Sequence, residues 1–365
     1  MENIRQNYPA DEIKPPVTHV GVVGWIRTNL FKGWFNSLLT VITIYCLWVI
    51  LPPLIRWAFI DSRWISTGAE CNQAGGACWS VITANIRFIT FGFFPYEQQW
   101  RPFVAMALLV ALLFYSRNRN HWKKQLSYAW ILGLFIMGLL MKGGLFGLAP
   151  VESAQWGGLP LTLLLSVFGL TAAYPLGVIL ALGRRSKMPA VKTLCIIYIE
   201  FIRGVPLISV LFMSQLMLPL FLPPAIRIGT VLRALTGMTL FSAAYTAENV
   251  RGGLAAVPMG QYEAGTAVGL NKVLLMVLIV LPQALRNVIP AIVGQFISLL
   301  KDTTLVVIVG LLDVLGIAKA VTGQRQFIGL HMEVYSFAAL LFFVFCYTLS
   351  RASRRLEKRL GVGER

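Results

Sequence analysis

Eight largely apolar stretches, most of them about 20 residues long, constrain what this 365-residue chain can fold into. They lie at 37–60, 101–115, 126–148, 160–182, 193–222, 230–250, 287–312 and 333–352. An α-helix rises about 1.5 Å per residue, so about 20 apolar residues cross about 30 Å of hydrocarbon. The second stretch is short, and the fifth is long enough to hold an interfacial turn or a break at Gly204 and Pro206. Apolar residues make up 57% of the chain and charged residues 13%, against about 45–50% and about 25% in ordinary soluble domains. A water-soluble fold with that balance would expose large apolar patches and aggregate. A soluble enzyme, a disordered chain and a disulfide scaffold are thereby excluded. The expected fold class is an all-α polytopic membrane protein of about eight transmembrane helices. No short apolar core with a small-residue cleavage site stands at the N-terminus, so a signal peptide is not expected.

The net charge of +17 raises nucleic acid as a partner, but no RNA- or DNA-binding motif accompanies it, and none is expected to bind. Topology explains the charge instead, because cytoplasmic loops collect Lys and Arg. Eight spans put both termini on one side. That side holds twenty Lys and Arg, among them Arg5, Lys14, Arg117, Arg184, Arg351 and Arg365. The opposite loops hold five: Arg63, Arg87, Arg227, Lys319 and Arg325. The asymmetry predicts cytoplasmic termini, with basic segments against anionic membrane lipid.

Cys46, Cys195 and Cys346 fall in apolar stretches and read as packing residues. Cys71 and Cys78 share the 61–100 loop on the outer side, where an oxidising periplasm would let them close a small loop; spacing alone leaves both states open. That loop is aromatic with few charges and reads as an interfacial lid. His19, His121 and His331 are scattered and suggest no metal site. From Trp156 onward the texture changes to spans rich in Gly, Ala, Ser and Thr, which let helices approach closely.

The segment 251–286 is the most informative. Pro258 and Gly260 break the chain after the sixth stretch, and Gln261–Val268 then predicts a helix of about two turns, stopped by Gly269 in a left-handed cap. Val273–Leu281 follows as nine apolar residues, about 14 Å of helix and too short to span, before Pro282 interrupts. A short polar helix pinned to the membrane base suits docking into something cytoplasmic; an ordinary amphipathic loop is the alternative.

Glu263-Ala264, then Gly269, then Ile279, Leu281 and Pro282, resemble the EAA signature of ABC-importer membrane subunits, with Gly265 in place of its second Ala. In a helix interior that exchange costs up to about 1 kcal/mol. Glu200-Phe201-Ile202-Arg203-Gly204-Val205-Pro206-Leu207 resembles a stretch of the polar amino-acid (histidine/glutamine) permeases, and so do 241–253 and Lys301–Leu305. The likeness covers about 156–353, and the extra N-terminal spans resemble the longer permease subunits of general L-amino-acid systems. It implies a type I importer core of five helices (160–353, with its cytoplasmic coupling segment 251–286), preceded by a cytoplasmic segment (1–36) and a three-helix extension (37–159) and followed by a basic tail (354–365). It further implies that Gln261, Tyr262, Glu263, Ala264, Gly265, Gly269 and Pro282 form a coupling element seated in an ATPase subunit.

Lys301 and Asp302 lie about fourteen residues into the seventh stretch, about 20 Å from its cytoplasmic end. Charges at that depth need a partner or a water-lined cavity. With Thr303 and Thr304 they mark either a pathway for a zwitterion or a structural pair at a subunit interface. Gln295 stands about two turns earlier; the resemblance implies that its neutral amide suits a broad or non-cationic substrate range. Glu200 and Arg203, like Glu248 and Arg251, are spaced to pair along one helix face and read as structural braces.

Phosphate-binding loops end in Gly-Lys followed by Ser or Thr, and this chain contains no Gly-Lys dipeptide. It is not expected to be an enzyme. The resemblance places ATP and Mg on a partner ATPase and implies two ATPase subunits, a second permease subunit, a periplasmic amino-acid-binding protein and the bacterial inner membrane. An ion-coupled secondary transporter and a non-transporting membrane scaffold are the other readings; the former often carries inverted repeats in both halves, whereas these halves differ.

Overall fold

The computed structural model describes residues 21–66, 68–71, 75–223 and 225–361. Arg5, Lys14, His19 and Arg365, most of the 1–36 segment and the end of the 354–365 tail lie outside the described residues. Helix α1 (Gly21–Asn29) precedes α2 (Trp34–Ile55), which runs on through a π-turn at Arg56–Ile60. Short α3 (Gly68–Cys71) and α4 (Ser80–Phe91) lead to α5 (Trp100–Ser116) and α6 (Lys124–Lys142). Then come α7 (Gly158–Arg184), α8 (Pro189–Gly204), α9 (Leu207–Leu216) and α10 (Thr230–Ala255). Three short helices gather at one end of the bundle: α11 (Met259–Ala267), α12 (Lys272–Leu275) and α13 (Leu281–Asn287). Helix α14 (Ile289–Asp302) tightens into a 3-10 segment at Thr303–Val309, and α15 (Val314–Thr322) and α16 (His331–Leu360) follow. Strand among the described residues is limited to Leu312–Asp313, bridged to Gly157 and Gly158.

Six described segments are long and apolar enough to cross a membrane: Trp34–Ile60, Tyr96–Ser116, Lys124–Lys142, Gly158–Arg184, Ile289–Val309 and His331–Leu360. The fifth apolar stretch is two helices with a sharp bend between them. Helices α8 and α9 meet at 110°, because Pro206 lacks an N–H and disfavours helical backbone at Val205. Helix α10, at 26 residues, is long enough but rich in Gly, Ala, Ser and Thr. It tolerates that composition because α7, α8, α9, α13 and α14 surround it in place of lipid.

Three sequence expectations change. The third stretch, expected to reach 148, stops at Lys142, where Gly143 and Gly144 take φ of 69° and 82°. Residues 61–100, expected as a lid, contain α4, whose Val81, Ile82 and Ile89 pack with Val314, Ala318 and Val321 of α15 and Val334 of α16. Their spacing makes an apolar stripe at helical period. Pro282 does not interrupt the helix; a π-turn at Met276–Val280 precedes it, and it sits in the first turn of α13, where a missing N–H is harmless.

Lipid tails supply no hydrophobic drive between helices, so close packing carries stability. The core between α7, α9, α10 and α14 buries Leu161, Leu165, Leu211, Met238 and Leu299 completely or nearly so. At Gly177 of α7 an added Cβ would lie 2.6 Å from Thr246 of α10, so only glycine allows this approach. Helix α2 is the opposite case, with no buried residue. The chain just beyond it is held by Trp79, which donates from Nε1 to the Ala58 carbonyl at 2.8 Å beside Trp57 and Trp64.

Candidate coupling site

Helix α11 begins after Pro258, whose φ of −58° and ψ of 142° set the entry, and ends in a Schellman closure. There the Leu270 N–H donates to the Gly265 carbonyl at 3.1 Å, and Gly269 takes φ 85°. Asn271 then caps α12, accepting from the N–H groups of Val273 and Leu274 at 3.1 and 2.9 Å. Proline, glycine and asparagine thus fold the segment locally at its turns.

The inner face of α11 is bolted to four parts of the bundle. The Tyr262 hydroxyl accepts from Arg185, at the end of α7, at 3.3 Å and donates to the Leu254 carbonyl of α10 at 3.5 Å. Gln283 of α13 donates to Gln261 at 3.1 Å. Gly265 is buried against Leu275 of α12 so closely that an alanine Cβ would force the leucine tip aside. The departure from the EAA pattern therefore fits a tight helix contact. The outer face is open: Glu263 and Ala264 are exposed, with Met259 70% and Val268 82% exposed. Apolar side chains left in water beside one carboxylate are the marks of an interface. Pro282 is exposed a short way along the same end. Lys187 and Lys272 crowd each other there, and the hydrogen bond between them, then their like charge, lower the Lys272 ammonium from its ordinary value.

Above α11 an ion cluster ties α7, α8 and α10 together. Glu248 meets Arg251 (2.9 Å from Nε), Arg184 (3.5 Å) and Arg203 (3.7 Å), and Arg184 also meets Glu200 at 2.8 Å. Glu248 and Arg251 pair as their spacing predicts. Glu200 and Arg203 do not pair with each other, because each turns to a neighbouring helix, Arg203 also lying over the Tyr245 ring. Arg184, Arg185 and Gln283 are members of this region that local spacing could not reveal, since their partners are distant in sequence.

Gln295, Lys301 and Asp302 lie on α14, and Thr303 and Thr304 just past its end. Lys301 is exposed and Asp302 and Gln295 half-buried, and neither charge joins an ion pair among the described residues. The hydroxyls of buried Thr303 and of Thr304 donate to the carbonyls of Leu300 and Lys301, each at 2.8 Å, and so satisfy their own helix. At the other end of the bundle Cys71 and Cys78 are joined by a disulfide with Cα atoms 5.5 Å apart. Groups of three or more His, Cys, Asp or Glu able to hold a metal are absent among the described residues.

The family model described as "Binding-protein-dependent transport system inner membrane component" matches residues 173–362. The chain is 46% identical over 346 residues to the inner membrane amino-acid ABC transporter permease protein YhdY of Escherichia coli (strain K12), covering 93% of each. It is 39% identical to the glutamate/glutamine/aspartate/asparagine transport system permease protein BztC of Rhodobacter capsulatus, covering 94% of this chain and 95% of the relative. A solved amino acid ABC transporter with histidines matches at 31% identity and TM-score 0.49, over 55% of this chain and 92% of its own. Full-length likeness to such permeases and a family match that takes in α11–α13 make this chain a member of the family of binding-protein-dependent transport system inner membrane components.

Proposed function

We propose that the chain is the membrane-spanning permease subunit of an ATP-driven importer for L-amino acids. One observation carries the mechanism: an exposed nine-residue helix, rigidly bolted at the basic end of a membrane bundle, on a chain with no Gly-Lys phosphate loop. Force must then come from outside. One of two ATPase subunits, holding ATP and Mg, receives Met259, Glu263 and Ala264 of α11 and Val268 just past its end. The bolts carry their closure inward, through Tyr262 to α7 and α10 and through Gln261, Gly265 and Gln283 to α12, α13 and α14. Alternating access follows from tilting the core α7–α16. Lys301 is exposed on α14, with Asp302 and Gln295 half-buried near it, which supports a pathway completed by a second permease subunit. A periplasmic binding protein delivers the amino acid, and both termini face the cytoplasm of an inner membrane.

The test is reconstitution of the whole importer in liposomes with a panel of labelled amino acids. Uptake should require ATP on the side of α11 and the binding protein on the other. Ala264→Trp, which enlarges the exposed face without touching a bolt, should abolish uptake while the permease subunits still assemble. Accumulation driven by an ion gradient, with no ATPase present, would defeat the proposal.

A further inference from the structure

A cleft of about 340 Å³ separates the N-terminal helices from the core at membrane depth. Val110 and Leu113 of α5 and Trp130 of α6 form one wall, and Phe345, Thr348 and Leu349 of α16 lie across from them. A wider hollow of about 690 Å³, lined by Phe114, Arg117, Asn118 and Arg359, opens at the end of the same two helices. Helical period connects the two. Arg117 follows Val110 by seven residues and Leu113 by four, so all three share one face of α5. Arg359 follows Thr348 by eleven residues, about three turns, and shares the facing stripe of α16.

The charges at the mouth are poised for an anion. Arg359 donates to the Arg117 carbonyl at 3.1 Å, which sets the two arginines side by side. Neither joins an ion pair among the described residues. The nearby carboxylate, Glu357, is engaged by the Ser353 hydroxyl at 2.6 Å. Helix α16 has 30 residues, about 45 Å, so its last third reaches past the hydrocarbon to headgroup level.

We infer that this basic mouth and the apolar cleft along the same two helices together bind one anionic phospholipid from the leaflet at the basic end of the bundle. Its phosphate lies between Arg117 and Arg359, and an acyl chain fills the gap between α5 and α16. Guanidinium groups pair with phosphate oxygens through charge-assisted hydrogen bonds, and a dry gap between membrane helices loses packing contacts unless filled. The lipid thereby joins the N-terminal extension to the transport core.

Native mass spectrometry of the full chain in detergent, with equal phosphatidylglycerol and phosphatidylcholine, tests this. Phosphatidylglycerol adducts should exceed phosphatidylcholine adducts by about tenfold, and the double variant R117Q/R359Q should lose that excess. R354Q/R355Q, in a separate hollow with Tyr347 and Arg351, should keep it. Glycerol 3-phosphate, a head without tails, should not displace the lipid. Equal retention of both lipids, the same loss in R354Q/R355Q, or displacement by glycerol 3-phosphate would each overturn the inference, the last in favour of a free phosphate site. Equal retention of both lipids by the unaltered chain overturns the inference even where a variant fails to fold.

Discussion

Replacing Gly177 by alanine tests the claim that α7 and α10 are held by close packing of small residues. The added Cβ would sit 2.6 Å from both Cβ and Cγ2 of Thr246 and 3.0 Å from the Ala243 carbonyl oxygen. Favourable carbon contacts lie at about 3.5–4.0 Å, so the helices must part by about 1 Å. Neither obstacle can swing away, since one is backbone and the other a β-branched side chain, restricted in rotamer within a helix. Thr246 is also fully buried. Overpacking of this kind costs about 1–3 kcal/mol. Parting the helices by that much also forfeits about a quarter to a half of each facing dispersion well. We expect Gly177→Ala to lose about 2 kcal/mol, and Gly177→Val more, by denaturant unfolding of the detergent-solubilised chain. A cycle with Thr246→Gly, which removes the obstructing Cβ, should show a coupling of at least about 1 kcal/mol. An unchanged unfolding midpoint in Gly177→Ala, or strict additivity with Thr246→Gly, refutes the reasoning.

Three further outcomes follow from named contacts. Tyr262→Phe removes the hydroxyl that links α11 to Arg185 and Leu254, about 1 kcal/mol; amino acid moved per ATP hydrolysed by the reconstituted importer should fall, and fall further in Tyr262→Ala. Asp313, fully buried between the seventh and eighth spans, is pushed up to about 6 by burial, against backbone hydrogen bonds led by that from Gly316. The folded state therefore holds this proton more tightly than the unfolded chain. Stability is full below about pH 4 and declines toward about pH 6, by at most about 1.4 kcal/mol per unit; Asp313→Asn should flatten that slope in pH-resolved thermal unfolding. Reducing the Cys71–Cys78 disulfide, seven residues apart in sequence, should cost about 2.5 kcal/mol by loop-closure entropy, read as a lower midpoint in dithiothreitol and an intact cross-link in non-reducing peptide maps.

The fold of α11 and α12 was largely legible in the sequence because it is local. Pro258, Gly269 and Asn271 each impose a backbone conformation or a cap on their neighbours, and such effects need no partner from elsewhere. The break at Gly204 and Pro206 was readable for the same reason. The ion cluster was legible only in part. Glu248 and Arg251 pair within one helix, as spacing allows, while Glu200 and Arg203 part for Arg184 and Glu248 on other helices. The role of 61–100 was hidden because a twelve-residue amphipathic helix looks alike whether its apolar stripe faces lipid or the faces of α15 and α16.

Apolar run length, loop charge and turn residues thus determined that the chain is a helical membrane bundle with a short exposed helix at its basic end. These are properties of single segments, set by the solvent and by backbone chemistry. The tertiary structure alone decided how close the helices come, as at Gly177 and Thr246, why glycine stands at 265 against Leu275, and which arginine answers which glutamate. Such contacts join residues on different helices, and they exist only once packing has brought those helices to a particular distance and rotation.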